Sequence, residues 1–376
     1  MEEKRKRPVV PDHIRELKPY QAGKTIVEVK ELYNPPRISK LASNENRLGC
    51  SKVVEQAVQE ALAEIQDYPD PLARKLREKI ADRNNVDPEN VVDGAGSESL
   101  IANLFRTFFH EGEEAISASA TFVGFFVHAN VQNLRIKSTP LTEGYGFDPQ
   151  ALVEAITDRT KLIYIANPNN PTGTYLSKDE FEYLMAHVPG DVLVVMDEAY
   201  YEYAHTISDY PASLDYTLDN ILTLRTFSKA YGLAGFRVGY GIGHPEVIEM
   251  MTKTKLAFEP SSMAQAVAIA AYDDQEHVEK SRQMVECGKR RLYSLFDKYD
   301  ITYVPTAANS VMAVFPNGEI ARQFNQQMMK NGVILRRLGM FGLANGIRIT
   351  IGTEQELEHF EESFKEVYER LSVKKN

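Results

Sequence analysis

Residues 192–200 read VLVVMDEAY, a run of five apolar residues followed by two carboxylates. A nearly continuous apolar run of this length predicts a strand buried on both faces, as in mostly parallel sheets that helices cover on both sides. Asp197 is expected at the carboxyl end of that strand, where a buried anion needs a cationic partner. Ligands of open α/β sheets bind at the same end. A helix N-cap or a structural ion pair would explain Asp197 alone equally well.

A second apolar run lies upstream and leads into a turn rich in asparagine. Residues 162–173 read LIYIANPNNPTG. Two prolines and a glycine rigidify such a turn, and asparagine amides offer donors and acceptors at fixed positions. Because an ordinary turn needs fewer of these residues, this one is a candidate for ligand binding.

A third run ends in hydroxyl residues and a lysine. Residues 224–240 read LRTFSKAYGLAGFRVGY, with Arg237 eight positions after Lys229. A lysine taken alone is most often a surface charge. Its amine attacks carbonyl groups when desolvation or neighbouring cations favour the neutral form. A strand end near Arg237 meets that condition, so Lys229 is the candidate nucleophile.

A glycine turn precedes a predicted helix near residue 100. Residues 91–99 read VVDGAGSES, a short strand and a turn that opens onto a helix at 100–110. Backbone N–H groups and the helix dipole at such a junction favour phosphate. Glycine turns before helices are common, so this signal is weak by itself.

The order of these patterns predicts the fold class and the domains. Apolar strands alternate with amphipathic helices between residues 90 and 245, which indicates an α/β fold with a mostly parallel sheet. Beyond about residue 275 a long charged helix, further strands and a final helix indicate a smaller α+β unit. The predicted division is an N-terminal arm that packs on the small domain (1–50), a large domain (51–275) and a small domain (276–376).

Composition excludes several classes of function. The chain has 376 residues, 43% hydrophobic and 26% charged, as expected of a globular protein. A formal charge of -10 argues against nucleic acid as a partner. No stretch approaches the roughly 20 apolar residues that span a membrane. Two distant cysteines support neither a disulfide framework nor a metal site. We therefore expect a cytoplasmic protein without metal, and a solvated arm at the basic residues 4–7.

Together these motifs resemble the fold-type I aminotransferases of classes I and II, over nearly the whole chain. The resemblance implies a large domain with a mixed, mostly parallel seven-stranded sheet, a smaller α+β domain and pyridoxal 5'-phosphate as cofactor. By this resemblance Lys229 matches the lysine that forms a Schiff base with the cofactor. Asp197 matches the partner of the pyridine nitrogen, and Asn170 and Tyr200 match the hydrogen-bond donors to the ring 3'-oxygen. Lys229, Asp197 and Tyr200 are accordingly the expected catalytic residues.

The resemblance also assigns the rest of the cofactor site. Phe122 matches the aromatic residue that stacks on the cofactor ring. Tyr68, in DYPDP at 67–71, resembles the tyrosine that reaches the phosphate of the neighbouring subunit's cofactor, which implies a homodimer. A turn with a partly buried tyrosine would explain its prolines equally well. The phosphate cup implied by the resemblance consists of Arg237, Thr226, Ser228 and the backbone of Ser97 and Glu98.

The substrate side depends on arginines and on the N-terminal segment. Arg348 lies among apolar residues of a predicted strand and needs an anion, which arginine binds in a bidentate manner. Arg336 is a second candidate, for which a structural salt bridge is equally expected. The segments LKPYQAGK (17–24) and KLASNEN (40–46) resemble the histidinol-phosphate aminotransferases, which implies that Tyr20 and Asn46 lie at the substrate. Arg47 stands where that motif usually has proline.

The implied reaction transfers the amino group of histidinol phosphate to 2-oxoglutarate, as in histidine biosynthesis. An aromatic amino acid aminotransferase would use the same scaffold, with Arg348 binding a carboxylate. A threonine-phosphate decarboxylase of the same fold is a second alternative, which would release carbon dioxide and need no 2-oxoglutarate. A cofactor-sensing transcription regulator of this fold is the third, and it would need an additional DNA-binding domain.

Overall fold

The computed structural model describes residues 10–17, 23–110, 112–217 and 219–371. Within them thirteen strands and fourteen α-helices are found. The strands are β1 (Ser39–Lys40), β2 (Val91–Gly94), β3 (Glu114–Ala118), β4 (Arg135–Thr139), β5 (Thr160–Ala166), β6 (Leu193–Asp197), β7 (Ile221–Thr226), β8 (Gly239–Gly243), β9 (Thr302–Val304), β10 (Ser310–Val314), β11 (Val333–Ile334), β12 (Arg336–Arg337) and β13 (Gly346–Thr350). The helices are α1 (Asp12–Glu16), α2 (Ile26–Tyr33), α3 (Val53–Leu62), α4 (Arg74–Asn84), α5 (Ser97–Phe108), α6 (Val123–Val131), α7 (Pro149–Glu154), α8 (Lys178–His187), α9 (Tyr201–Ala204), α10 (Pro245–Thr254), α11 (Ser262–Asp273), α12 (Gln275–Lys298), α13 (Gly318–Lys330) and α14 (Glu354–Leu371).

The main sheet has seven strands in the order β2-β8-β7-β6-β5-β3-β4. Strand β8 runs antiparallel to both of its neighbours, and the other pairs are parallel. The apolar run at 192–196 falls on β6 at the centre of the sheet, which explains why it is apolar on both sides. The prediction of a mixed, mostly parallel seven-stranded sheet is confirmed.

Alternate residues of β6 face two different helical layers. Leu193 and Val195 pack in a core with α5, α6 and α10, whereas Val194 and Met196 pack in a core with α7 and α8. Successive side chains of a strand point to opposite faces. Asp197 therefore continues on the face of Val195, towards α5, at the carboxyl end of the strand.

The C-terminal part of the chain forms a separate antiparallel sheet in the order β12-β13-β10-β9. Strand β1 pairs in parallel with β11, with Ser39 opposite Val333 and Lys40 opposite Ile334. This pairing supports the predicted packing of the N-terminal arm on the small domain. The domain boundaries at residues 50 and 275 stay predictions, although α12 does begin at Gln275.

No helix in the described ranges combines the length and the apolar character that crossing a membrane requires.

Candidate active site

A cavity of about 200 Å³ lies at the carboxyl ends of β5, β6 and β7, next to the first turn of α5. Apart from Tyr68, every residue that the sequence predicts to contact the cofactor lines it. They are Ser97, Glu98, Phe122, Asn170, Asp197, Tyr200, Thr226, Ser228, Lys229 and Arg237. Since they come from five separate segments, the parallel sheet and its connections bring them together.

Lys229 lies in the turn that follows β7, at the same edge of the sheet as Asp197. Its Nζ atom is 5.6 Å from the centroid of the Tyr200 ring. The positive charge of Lys229 also acts on Asp197, where it favours the ionised carboxylate. An amine, a phenol and a carboxylate therefore share one small cavity.

Asp197 is a buried carboxylate at the cavity wall, with 4% of its surface exposed. Its Oδ2 atom accepts a hydrogen bond of 2.5 Å from the hydroxyl of Tyr164, and its Oδ1 atom accepts one of 3.2 Å from the N–H of Ala199. Burial raises the pKa of Asp197 to about 6, while the Tyr164 and Ala199 hydrogen bonds and the Lys229 charge oppose that rise. A cationic ring nitrogen in the cavity would stabilise the ionised form further.

The first turn of α5 and Arg237 form an anion cradle. Gly96 precedes the helix with a φ of +85°, and it carries no side chain that could cover the first N–H groups. The positive φ favours glycine at this position, and the guanidinium of Arg237 lies close to it, 2.8 Å from where a Cβ atom would stand. Arg237 donates to Ser228 Oγ at 3.3 Å, and the Ser228 N–H donates to Thr226 Oγ1 at 3.2 Å. Helix N–H groups, hydroxyls and a guanidinium are the groups that bind phosphate.

Glu98 brings a negative charge to the rim of this cradle. Its carboxylate lies 3.5 Å from His128 Nε2 and 4.0 Å from Arg237 Nη2. The His128 contact is the main cause that lowers the pKa of Glu98. The phosphate contact predicted for the backbone N–H of this residue stays a prediction, and its side chain lies near Arg237 and His128.

Tyr200 is held by a residue that the sequence analysis did not single out. Asn44 donates from Nδ2 to Tyr200 Oη at 2.8 Å, and Asn44 Oδ1 accepts from the Thr350 hydroxyl at 3.1 Å. Because Asn44 supplies a donor, the hydroxyl hydrogen of Tyr200 is free to point at an acceptor in the cavity. Asn44 lies in KLASNEN, a segment that the resemblance places near the substrate. Its hydrogen-bond partner Tyr200 cannot be read from the sequence.

A second cavity of about 330 Å³ adjoins the first. Phe122, Asn170, Tyr200 and Lys229 line both cavities. Four more cations line the second cavity, and its lining includes no carboxylate among the described residues. These cations are Lys24, Lys40, Arg336 and Arg348.

The two buried arginines of this second cavity lie on β12 and β13. Arg348 is 5% exposed; it donates to Ala42 O at 2.8 Å and contacts Asn170 Oδ1. Arg336 is 8% exposed and pairs with Arg348 in the register of the two strands. The two lysines form ion pairs: Lys24 contacts Glu28 at 2.8 Å in an exposed pair, and Lys40 contacts Glu45 at 2.5 Å in a part-buried pair. The cavity is therefore suited to anions.

Two predicted residues, Asn46 and Tyr68, do not line either cavity. Tyr20 lies outside the described residues. The amide of Asn46 is engaged with backbone, since it donates to Ala230 O at 2.8 Å and accepts from the Leu48 N–H at 3.0 Å. Asn46 thus braces the turn next to Lys229, and its substrate contact stays a prediction. Tyr68 is 81% exposed and stacks on Phe258, with ring centroids 4.4 Å apart.

Arg47, which replaces a proline of the resembling motif, also stays outside the cavities. Its guanidinium pairs with Glu356 near the start of α14, with Nη2 at 2.7 Å from Oε1. The residue therefore links the N-terminal segment to the C-terminal helix, and its charge lies outside both cavities.

Comparison with known proteins identifies the family to which this chain belongs. Residues 36–364 match the family described as aminotransferase class I and II. The chain is 38% identical to histidinol-phosphate aminotransferase 1 of Bacillus cereus over 360 residues, which cover 95% of this chain and 96% of that protein. It is also 38% identical to histidinol-phosphate aminotransferase 2 of Carboxydothermus hydrogenoformans, covering 95% of this chain and 99% of that protein.

A solved structure is similar over almost the full length. The histidinol-phosphate aminotransferase of Sinorhizobium meliloti, in complex with pyridoxal-5'-phosphate, matches with a TM-score of 0.87 and 25% identity over 96% of this chain and 97% of that one. The chain is therefore a pyridoxal-phosphate-dependent transaminase of the class I and II aminotransferase family, and within that family it belongs with the histidinol-phosphate aminotransferases.

Proposed function

We propose that this chain transfers the amino group of histidinol phosphate to 2-oxoglutarate, giving imidazole acetol phosphate and glutamate in histidine biosynthesis. The observation that carries the proposal is the cationic second cavity, which opens directly onto Lys229. A phosphorylated amine and a dicarboxylic oxo acid both carry two negative charges, so both suit a cavity with several cations. The names of the relatives agree with this choice.

The residues of the first cavity fit pyridoxal phosphate. The cradle of α5 N–H groups, Ser228 and Arg237 would hold its phosphate, and Asp197 would hold the proton at its ring nitrogen. Tyr200 and Asn170 would donate to its 3'-oxygen, and Phe122 would cover one face of the ring. When bound, the cofactor supplies an aldehyde that accepts amino groups and a ring that takes up the electron pair released at the substrate Cα.

Lys229 has two duties in this proposal. Its Nζ atom would hold the cofactor's aldehyde carbon between turnovers and would be released when the substrate amine takes its place. The released Nζ atom then removes the Cα proton as a general base. The Tyr200 ring, 5.6 Å away, limits where the amine can swing. The same groups act in the reverse direction when 2-oxoglutarate is the acceptor.

The two arginines would bind different anionic groups of the two substrates. Arg348 is held by Ala42 O and Asn170, so its direction is fixed before a substrate arrives. We assign it to a carboxylate of glutamate and 2-oxoglutarate. Arg336, Lys40 and Lys24 line the same cavity, and we assign them, with Tyr20, to the substrate phosphate.

We further propose that the active unit is a homodimer in the cytoplasm, in which Tyr68 reaches the neighbouring site. Tyr68 lines neither of the two cavities of its own chain that contain Lys229, and it is 81% exposed. Exposed apolar side chains of neighbouring segments accompany it, and a patch of this kind suits a protein partner. They are Leu62, Ile65, Leu256 and Phe258.

An aromatic amino acid is the second candidate donor. Phe122, Val123 and Phe341 line the second cavity, and an aromatic ring would pack on them as well as an imidazole would. Such a donor carries one carboxylate and no phosphate, so it would use only part of the cationic lining of the cavity.

The experiment that tests the proposal compares donors on one purified protein. Histidinol phosphate, histidinol and phenylalanine are each offered with 2-oxoglutarate, and glutamate is measured. We expect kcat/KM for histidinol phosphate to exceed that for histidinol by roughly 100-fold, because charged hydrogen bonds contribute about 1.5–3 kcal/mol each. Lys229→Ala is the control, and it should lose both the transfer and the visible absorbance of the bound cofactor. Equal rates with phenylalanine and no preference for the phosphate would contradict the assignment.

A further inference from the structure

A buried tyrosine supports the carboxylate at the centre of the site. Tyr164 lies on β5, is 1% exposed, and has its ring stacked on Phe125 with centroids 4.5 Å apart and planes 15° apart. Its hydroxyl donates to Asp197 Oδ2 at 2.5 Å. Tyr164 does not line either cavity, so it acts on the site only through Asp197.

The sheet register explains why these two side chains meet. In the parallel pair of β5 and β6, Ala166 lies opposite Asp197 and Tyr164 lies opposite Val195. Residues two apart on a strand share a face. The Tyr164 ring is therefore a diagonal neighbour of Asp197, at a distance that an aromatic side chain spans. Stacking on Phe125 fixes the orientation of the ring and so directs the hydroxyl at Asp197.

The proton of this hydrogen bond belongs to the tyrosine. Burial and the charge of Asp197 raise the pKa of Tyr164 well above its ordinary value, so the phenol stays protonated. The Ala199 N–H occupies the other oxygen of Asp197. Two donors therefore fix the carboxylate plane, and their hydrogen bonds spread its negative charge.

We propose that Tyr164 is a positioning residue for transamination, whose hydroxyl orients Asp197 and keeps it a weak base, so that the shared proton stays on the cofactor's ring nitrogen. This role of Tyr164 rests on the proposed role of Asp197. In a buried pair of a carboxylate and a pyridine nitrogen, low dielectric favours the neutral arrangement, with the proton on the carboxylate. A strong donor to the carboxylate opposes that transfer. The ring accepts electrons well only when its nitrogen carries the proton.

The test replaces the hydroxyl and leaves the ring. Tyr164→Phe keeps the stack on Phe125. Tyr203→Phe is the matched control, because Tyr203 is equally buried and its hydroxyl bonds Ser281 at 3.0 Å, away from both cavities. The readout is the chemical shift of the ring nitrogen in nitrogen-15-labelled pyridoxal phosphate bound to each protein. We expect Tyr164→Phe to move the shift towards the unprotonated value and to lower kcat about tenfold with little change in KM, and Tyr203→Phe to change neither.

Two further variants distinguish the role of Tyr164 from the proposed role of Asp197 on which it rests. In an Asp197→Asn background the Tyr164→Phe change should have no additional effect on the shift, because the carboxylate is gone. A fluorinated tyrosine at position 164 keeps the fold and makes a stronger donor, so it should move the shift in the opposite direction. If Tyr164→Phe matches the control while Asp197→Asn alters the shift, Tyr164 is merely structural and the inference is overturned. If Asp197→Asn also leaves the nitrogen protonated, the proposed role of Asp197 fails instead.

Discussion

Arg336 and Arg337 are neighbours on β12 and lie on opposite sides of it. Arg336 is 8% exposed and lines the second cavity, whereas Arg337 is exposed. We expect Arg336→Ala to raise KM for histidinol phosphate by roughly 10- to 100-fold, since it removes charged hydrogen bonds to the phosphate. KM for histidinol, which has no phosphate, should change little. Steady-state kinetics with both donors provide the measurement.

Arg337→Ala is the matched control for this prediction, because it deletes the same side chain from the same strand. Its KM values should equal those of the unmodified protein. A rise in KM for both donors in Arg336→Ala would contradict the phosphate assignment and would favour a role in holding β12 against β13.

The site residues differ in how far the sequence could predict them. Lys229, Asp197 and Arg237 follow apolar strands in recognisable motifs, so their meeting in one cavity could be expected. Tyr164 could not be placed in the same way, because a tyrosine within LIYI reads as core. The available signal was that a buried phenol needs a hydrogen-bond partner. Its partner depends on the register of β5 and β6, which the sequence does not specify.

The N-terminal segment is joined to α14 by an ion pair that spans 309 positions of the chain. Arg47 Nε donates to Glu356 Oε1 at 2.8 Å, and Glu356 Oε2 accepts from the N–H of Thr353 at the start of the helix. The two side chains are 28% and 14% exposed, so the pair is partly shielded from water. We expect Arg47→Ala to lower the free energy of unfolding by about 1 kcal/mol and to leave KM unchanged.

A double-mutant cycle checks this prediction. Thermal unfolding is measured for Arg47→Ala, Glu356→Ala and the double variant. In the Glu356→Ala background the Arg47 change should cost nothing further, while Glu356→Ala alone also loses the Thr353 contact. A change in KM for either substrate would show that Arg47 reaches the site after all.

His359 on α14 gives the junction of β1 and α14 a pH dependence. Its Nδ1 atom is 2.8 Å from Ser39 Oγ, and its Nε2 atom is 2.9 Å from Asn331 O. Burial, with the nearby charge of Arg37, lowers the pKa of His359. In the unfolded chain the ring takes a proton near pH 6.5, whereas the folded protein resists protonation until lower pH. The unfolded state therefore binds more protons in that window, and stability falls as the pH drops below about 6.5.

We expect His359→Gln to reduce this loss of stability at acidic pH, although the variant is less stable at neutral pH. Denaturant unfolding at neutral and mildly acidic pH gives the comparison. His187 is the matched control position, because it is exposed on α8. An identical pH dependence in the protein with and without His359 would assign the acid sensitivity to other groups.

The helices and strands were easier to predict from the sequence than the contacts between distant elements. Strand β6 and its helical layers follow from the apolar pattern, and the seven-stranded sheet follows from the family resemblance. The parallel pairing of β1 with β11 joins residues about 300 positions apart, and a two-residue strand carries no periodicity. Hydrophobic patterns determine which face of an element is buried, whereas such distant contacts depend on how complete units pack.

The active site is predicted to be complete only in a dimer of this chain. Tyr68 is exposed, stacks on Phe258 and lines neither of the two cavities of its own chain that contain Lys229. In a twofold dimer each site would contain Lys229 of one subunit and the hydroxyl of Tyr68 of the other. We expect Tyr68→Phe to weaken cofactor binding about tenfold, because it removes a hydrogen bond to a phosphate but keeps the stacking ring.

Mixing the inactive Lys229→Ala variant with Tyr68→Phe, which binds the cofactor too weakly to fill its sites when cofactor is limiting, tests the pairing directly. Lys229→Ala and Tyr68→Phe subunits are combined at limiting cofactor, unfolded and refolded together, and transamination is measured. Half of the dimers should be hybrids, each with one intact site, so activity should recover to about a quarter of that of the unmodified protein. A mixture of Lys229→Ala with a chain carrying both changes should recover nothing. If the first mixture also stays inactive although hybrids form, Tyr68 acts within its own chain and the shared site is wrong.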